Sequence, residues 1–251
     1  MYQLLVRLSR LLIFLTMQRR ISGQEQTPRE GGLLIVSNHL GLLDPLVIGT
    51  KLPRRLYILA KFEVFSWPVV GWLARRADVI PVRRGQSDRE AIRRLLKHLQ
   101  AGHAVLVFPE GTYPKRHQPR GMLPAQAGAA LLAQRSGATI LPIGITGSEM
   151  VWSPRSLPWG LFRRWPVQVR VGAPYRADIS TSASQKQALA LITGEMMQRI
   201  AALLPESYRG SYREAAASPA AQPALPAETP TPALAETGAS APAEAERLES
   251  S

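Results

Sequence analysis

Residues 33–45 read Leu33-Leu34-Ile35-Val36-Ser37-Asn38-His39-Leu40-Gly41-Leu42-Leu43-Asp44-Pro45. The four apolar residues after the Gly31-Gly32 turn signal predict a strand buried on both faces. Pro45 predicts a helix start, where its missing N–H goes unneeded. A buried strand, a polar turn and a helix in succession form the opening unit of an α/β sheet. The same turn puts His39 at a strand end and Asp44 at a helix start, so the two side chains can meet. A neutral imidazole accepts a proton from a hydroxyl. A carboxylate on its second nitrogen fixes the tautomer and stabilises the imidazolium. No Ser, Cys or Thr lies between His39 and Asp44, so the pair reads as a base that activates a substrate's own hydroxyl.

Further along, Val105-Leu106-Val107-Phe108-Pro109-Glu110-Gly111-Thr112 repeats the pattern of a buried strand entering a polar, Gly-containing turn. Between the two, a helix is expected from Pro45 to about residue 51 and strands over 56–60 and 79–82. Residues 62–76 are apolar and aromatic with basic ends. Ser87 and Glu90 have capping-box spacing. They open a helix with Ile92, Leu95, Leu96 and Leu99 on one face, closed by Gly102. A helix over about 125–136, strands over 140–146 and 167–171, and a last helix entered through a second capping box at Ser182 and Gln185 complete the pattern. Alternating strands and helices predict a mostly parallel central sheet flanked by helices on both faces. Ligands of such sheets bind beyond the carboxyl ends of the strands, where His39, Arg84, Glu110 and the Thr146-Gly147 turn fall.

The chain of 251 residues has no cysteine and carries a net charge of +13. A disulfide framework, thiol catalysis and Cys-based metal sites are therefore excluded. Residues 214–251 hold six Glu and one Arg, leaving +18 on the rest. A body this basic calls for an anionic partner: nucleic acid, an anionic membrane surface or phosphorylated substrates. His98 and His103 lack further metal-ligand partners in sequence, so no metal is expected. No nucleic-acid-binding signature, phosphate loop or nucleophile elbow is present.

Residues 1–22 read as an amphipathic helix lying on a membrane surface, with arginines toward the headgroups. Their apolar run is far too short to span a bilayer. Residues 23–212 form the folded domain. Residues 213–251, rich in Ala, Pro and Glu, have too few large apolar side chains to fold and are expected to be disordered. Phe62, Phe65, Trp67, Val69, Val70 and Trp72 supply a second apolar stretch. Residues 150–166 supply a third, with Trp152, Trp159 and Trp165 among arginines. Together with the N-terminal helix these are expected to form one membrane-docking face.

The stretches NHLGLLD (38–44), IPVRRG (80–85), FPEGTYP (108–114) and ILPIGITG (140–147) resemble, in that order, the four motifs of the glycerolipid acyltransferases. The group resembled most is the 1-acylglycerol-3-phosphate acyltransferases (lysophosphatidic acid acyltransferases, PlsC-like), and the resemblance covers about residues 30–150. It implies an acyltransferase of phospholipid biosynthesis, membrane-associated at the cytoplasmic face. Such an enzyme moves a fatty acyl group from acyl-CoA or acyl-carrier protein to lysophosphatidate, giving phosphatidic acid. It needs no cofactor beyond that acyl co-substrate, and binds membrane lipid but no nucleic acid. By the same resemblance His39 and Asp44 form the catalytic H-x4-D pair and Arg84 grips the acceptor phosphate. Arg83 adds to that field, Glu110, Gly111 and Thr112 serve the acceptor, and Lys61 precedes the acyl-binding segment.

Three positions depart from the family pattern: Asp78 for Gly, Tyr113-Pro114 for Arg-Ser, and Gln126 for a cation. The last two bear on the acceptor and leave room for another lyso-lipid, such as a lyso-ornithine lipid. A thioester or lipid hydrolase using the same base on water is the other alternative.

Overall fold

The computed structural model describes residues 7, 11, 13–76, 79–82, 89–114, 121–151, 164–177 and 184–213. Seven strands form one sheet: β1 (Met17–Ser22), β2 (Leu33–Ser37), β3 (Leu56–Lys61), β4 (Ile80–Val82), β5 (Ala104–Val107), β6 (Thr139–Thr146) and β7 (Trp165–Val171). Their order is β1-β7-β6-β2-β5-β3-β4. Every neighbouring pair is parallel except β6 with β7. Helices α1 (Asp44–Gly49), α2 (Pro68–Arg76), α3 (Arg89–Gln100), α4 (Gly128–Ser136) and α5 (Gln185–Ala202) accompany them among the described residues. The sheet is the mostly parallel, helix-flanked one that the strand–helix alternation predicts.

The apolar run of β2 follows from its place between β5 and β6, with all five residues buried. Its side chains alternate between two cores. Leu34 and Val36 join Leu95 and Leu99 of α3, Leu132 of α4 and Met196 and Ile200 of α5. Leu33 and Ile35 join Val47 and Ile48 of α1, with Ile143 and Val169. Both faces being covered, β2 has no solvent-facing position for a polar residue until it ends.

The chain leaves β2 toward β5, β3 and β4 on one side, while β6 and β7 extend the other. Strand order therefore reverses at β2. The carboxyl ends of β2, β5 and β6 border the crevice where open α/β sheets hold ligands.

Three expectations need correction. The N-terminal helix does not reach residue 22. Residues 13–16 are helical, but Met17–Ser22 is an edge strand paired with β7. Arg19 and Arg20, adjacent on it, point to opposite sides, and Arg19 donates to the Val47 carbonyl (3.1 Å) and to the Thr50 hydroxyl. The final helix is capped by Ser184 with Gln187, not by Ser182 with Gln185. The Ser184 hydroxyl accepts the Gln187 N–H, and the Gln187 side chain accepts the Ser184 N–H. The Ala-rich helix starts at Gly128 rather than 125, and ahead of it the Gln126 N–H pairs with the Pro109 carbonyl (2.9 Å). The first capping box, at Ser87, and the tail beyond residue 213 lie outside the described residues. No helix among the described residues is long and apolar enough to cross a membrane.

Of the expected docking residues, Leu11, Phe14, Leu15, Phe62, Trp67 and Trp72 are exposed. Trp165 instead lies in β7 and packs on the core. Trp152 and Trp159 fall outside the described residues.

Candidate active site

The site is built where β2 gives out. Asn38, the first residue past the strand, is buried, and its amide pairs both ways with Ile145 of β6. Nδ2 donates to the Ile145 carbonyl (2.9 Å) and Oδ1 accepts the Ile145 N–H (2.8 Å). This side chain extends the β2–β6 ladder after the backbone has turned away, so the next residue starts from a fixed point. That residue is His39.

The turn from His39 into α1 closes on Asp44. The Asp44 Oδ2 accepts three hydrogen bonds: from His39 Nδ1 (2.8 Å), the Leu40 N–H (2.6 Å) and the Gly41 N–H (2.9 Å). Asp44 is fully buried and His39 is 8 % exposed. A carboxylate at Nδ1 selects the tautomer with its proton on that nitrogen and leaves Nε2 with the lone pair. The five-residue spacing between His39 and Asp44 thus closes a tight turn that aims one carboxylate oxygen at imidazole and backbone alike.

Two aromatic side chains complete the surroundings of the ring. Phe108 stacks on it with centroids 3.9 Å apart and planes 14° apart, and Tyr113 meets it edge-on at 5.0 Å. Tyr113 is 39 % exposed, so it lies at the mouth of the site.

Glu110 stands in the turn after β5. Its Oε1 accepts the His39 N–H (3.0 Å) and its Oε2 accepts the Leu123 N–H (2.7 Å). Burial pushes its carboxyl up to about 7, against the two backbone donors, which pull it down; the neighbouring Asp44 charge adds to the rise. Gly111 has φ +67, and a Cβ there would fall 2.9 Å from the Gln126 side chain. Glycine is what lets this turn tuck against residue 126.

Of the expected site residues, His39, Asp44, Glu110 and Gly111 come together. Thr112 follows in the same turn and is exposed. Lys61 ends β3, two strands from β2, and forms an exposed ion pair with Glu63 (2.9 Å). Arg83 and Arg84 follow β4 in sequence and lie outside the described residues, as does Asp78. Asn38, Phe108 and Leu123 did not figure among the expected residues. Asn38 left one local signal, a polar side chain two residues after the unbroken apolar run Leu33–Val36. Leu123 contributes only its N–H and left none.

Chemically, the arrangement holds an imidazole with one committed nitrogen, backed by a buried carboxylate, at the carboxyl end of β2. It can take a proton from a hydroxyl or from water and return it to a leaving group.

The family model described as Acyltransferase matches residues 18–146, just over half of the chain. The lyso-ornithine lipid O-acyltransferase of Pseudomonas aeruginosa is 36% identical over 140 residues, 55% of this chain and 51% of that protein. The chain thus spans about half the length of that relative. The 1-acyl-sn-glycerol-3-phosphate acyltransferase of Bacillus subtilis is 26% identical over 202 residues, covering 80% of this chain and 95% of that one. The crystal structure of the 1-acyl-sn-glycerophosphate acyltransferase PlsC from Thermotoga maritima superposes with a TM-score of 0.59. At 21% identity it covers 78% of this chain and 76% of that one, which shows a common fold.

Proposed function

This chain belongs to the acyltransferase family, and on that premise we propose that it transfers a fatty acyl group to the free hydroxyl of 1-acylglycerol 3-phosphate, with His39 as the base. The single observation that carries the reading is the 2.8 Å contact between His39 Nδ1 and the buried Asp44 carboxylate. Nε2 of His39 takes the proton of the acceptor hydroxyl. The oxygen attacks the thioester carbonyl of acyl-CoA or acyl-carrier protein, the carbon–sulfur bond breaks, and the departing thiolate receives the proton back from the imidazolium. Asp44 stabilises that imidazolium while the proton is in transit. Arg84, with Arg83 beside it, is proposed to hold the acceptor phosphate, for which a guanidinium fork is suited. No cofactor is proposed beyond the acyl donor.

The near full-length match to the Bacillus subtilis protein supports lysophosphatidate as acceptor. A specific observation favours a second acceptor. Tyr113 and Gln126, where cations were expected, stand beside His39 and Gly111 and bring no charge to the site. A lyso-ornithine lipid, the substrate named for the Pseudomonas aeruginosa relative, would suit such a site. Acyl transfer assayed in parallel on lysophosphatidate, lyso-ornithine lipid and water decides among these. Lysophosphatidate is expected to give the highest kcat/KM by at least about tenfold, a 1.4 kcal/mol difference in transition-state stabilisation. A higher value for lyso-ornithine lipid reverses the acceptor. Acyl release that ignores every acceptor identifies a hydrolase.

The acceptor must arrive from a bilayer, and we propose attachment to the cytoplasmic face of the membrane, whose anionic lipid attracts a basic body. Support comes from the exposed Leu11, Phe14 and Leu15 at the N-terminus and from Phe62, Trp67 and Trp72 between β3 and β4. Arginine guanidinium groups sit over Phe14 (Arg164, 4.7 Å) and Trp72 (Arg76, 4.8 Å), pairing apolar rings with cations as an interfacial surface does. Changing Phe14, Leu15 and Trp67 to Ser is expected to weaken flotation with anionic vesicles at least about tenfold, at roughly 0.8 kcal/mol per buried CH₂ lost. Undiminished flotation would remove these side chains from the docking surface.

A further inference from the structure

We infer that Glu110 is a positioning residue, the joint through which the turns at 206–212 hold the main chain of His39 in place. The inference rests on the reading of His39 as the base. It assigns Glu110 a part other than contact with the acceptor.

Residues 121–126 form a strap with no regular secondary structure. Its N–H groups must find partners outside it. Met122 donates to the Tyr208 carbonyl (3.0 Å), Leu123 to Glu110 Oε2 (2.7 Å), Ala125 to the Tyr212 hydroxyl (3.1 Å) and Gln126 to the Pro109 carbonyl (2.9 Å). Residue 124 is proline and has no N–H. From 122 to 126, then, each N–H goes either to the Glu110 turn or to the short 3-10 turns Glu206–Tyr208 and Gly210–Tyr212 that follow α5.

The packing is as close as the hydrogen bonding. A Cβ on Gly210 would fall 2.2 Å from the Met122 carbonyl oxygen, and one on Gly121 would fall 2.8 Å from Gly210 Cα. The two glycines let the strap and the C-terminal turns meet backbone to backbone. Glu110 transmits this support onward. One oxygen is bound to the strap and the other to the His39 N–H, seventy-one residues away in sequence.

Glu110 is 3 % exposed, and each of its oxygens already accepts a main-chain N–H. An ionised carboxylate accepts at both oxygens, whereas an amide accepts at one. Glu110→Gln therefore keeps the shape and breaks one of the two bonds.

The test uses the full chain, with Glu110→Gln and the remote Tyr212→Phe, which removes only the acceptor of the Ala125 N–H. Two readouts are taken: steady-state kinetics on the acceptor, and amide hydrogen exchange across residues 37–44 and 121–126. Glu110→Gln is expected to lower kcat about 10- to 100-fold with acceptor KM held within about twofold, since the base is misplaced while the acceptor site is intact. Tyr212→Phe is expected to lower kcat about threefold. Both variants are expected to exchange the His39 amide faster. A rise in acceptor KM of tenfold or more at constant kcat would make Glu110 an acceptor ligand and overturn the inference. So would a His39 amide that exchanges at the parent rate in Tyr212→Phe. That second readout also decides the matter if Glu110→Gln fails to fold. If the parent protein transfers no acyl group, the proposed function fails, while the exchange data still report on the joint.

Discussion

His39→Ala is expected to lower kcat for acyl transfer about 10³-fold, or roughly 4 kcal/mol of transition-state stabilisation, with acceptor KM within about threefold. The size follows from the geometry. His39 Nδ1 is fixed on Asp44, and the ring stacks on Phe108 and meets Tyr113 near-perpendicularly, so Nε2 is held in one place. A base this constrained contributes both its proton affinity and its orientation, and alanine removes both. KM should hold because the groups proposed to bind the acceptor headgroup belong to other turns. The stacked ring also packs on Phe108, so a thermal melt is needed alongside the rate. A variant that folds like the parent and keeps more than about a tenth of its kcat would show that the proton leaves by another route.

The pair of His39 and Asp44 was legible in sequence because it is local. Five residues separate the two, and the elements on either side announce themselves, β2 by an unbroken apolar run and α1 by Pro45. The same holds for α3, whose Leu95 and Leu99 are buried and whose Ile92 and Leu96 pack half-buried against the same core, and for its end at Gly102, φ +78.

What escaped was set by partners far along the chain. Met17–Ser22 became a strand because β7, about 150 residues on, offers it a ladder. Its own Arg19-Arg20 pair obscures the alternation and suggests an interface instead. Ser182 and Ser184 both precede a glutamine by three residues, and nothing in the local sequence separates them. Only the placement of α5 on the core selects Ser184. The family resemblance assigns Glu110 to the acceptor, and its place in the main-chain network was not legible. Its two backbone donors, His39 and Leu123, come from segments that no periodicity connects.

The second large effect belongs to Asp44, and two substitutions separate its charge from its geometry. All three donors, His39 Nδ1, Leu40 N–H and Gly41 N–H, converge on Oδ2, while Oδ1 is buried with no hydrogen-bond partner among the described residues. In Asp44→Asn the amide oxygen can replace Oδ2 and keep all three bonds. The opposite orientation would face an NH₂ with three donors and is excluded. The NH₂ then occupies the position of Oδ1 without an acceptor, at about 1–3 kcal/mol of stability. The turn survives, but the imidazolium forms beside a neutral group, and kcat is expected to fall about 10²- to 10³-fold. In Asp44→Ala the three donors are stranded in the interior, so about 3–5 kcal/mol of stability should be lost, with a fall in kcat at least as large. Denaturant midpoints and single-turnover rates on both proteins read out the two effects. Equal midpoints for the Asn and Ala proteins would mean the His39–Asp44 turn is held by something other than Oδ2. A parent-like rate for the Asn protein would mean the negative charge does nothing for the base.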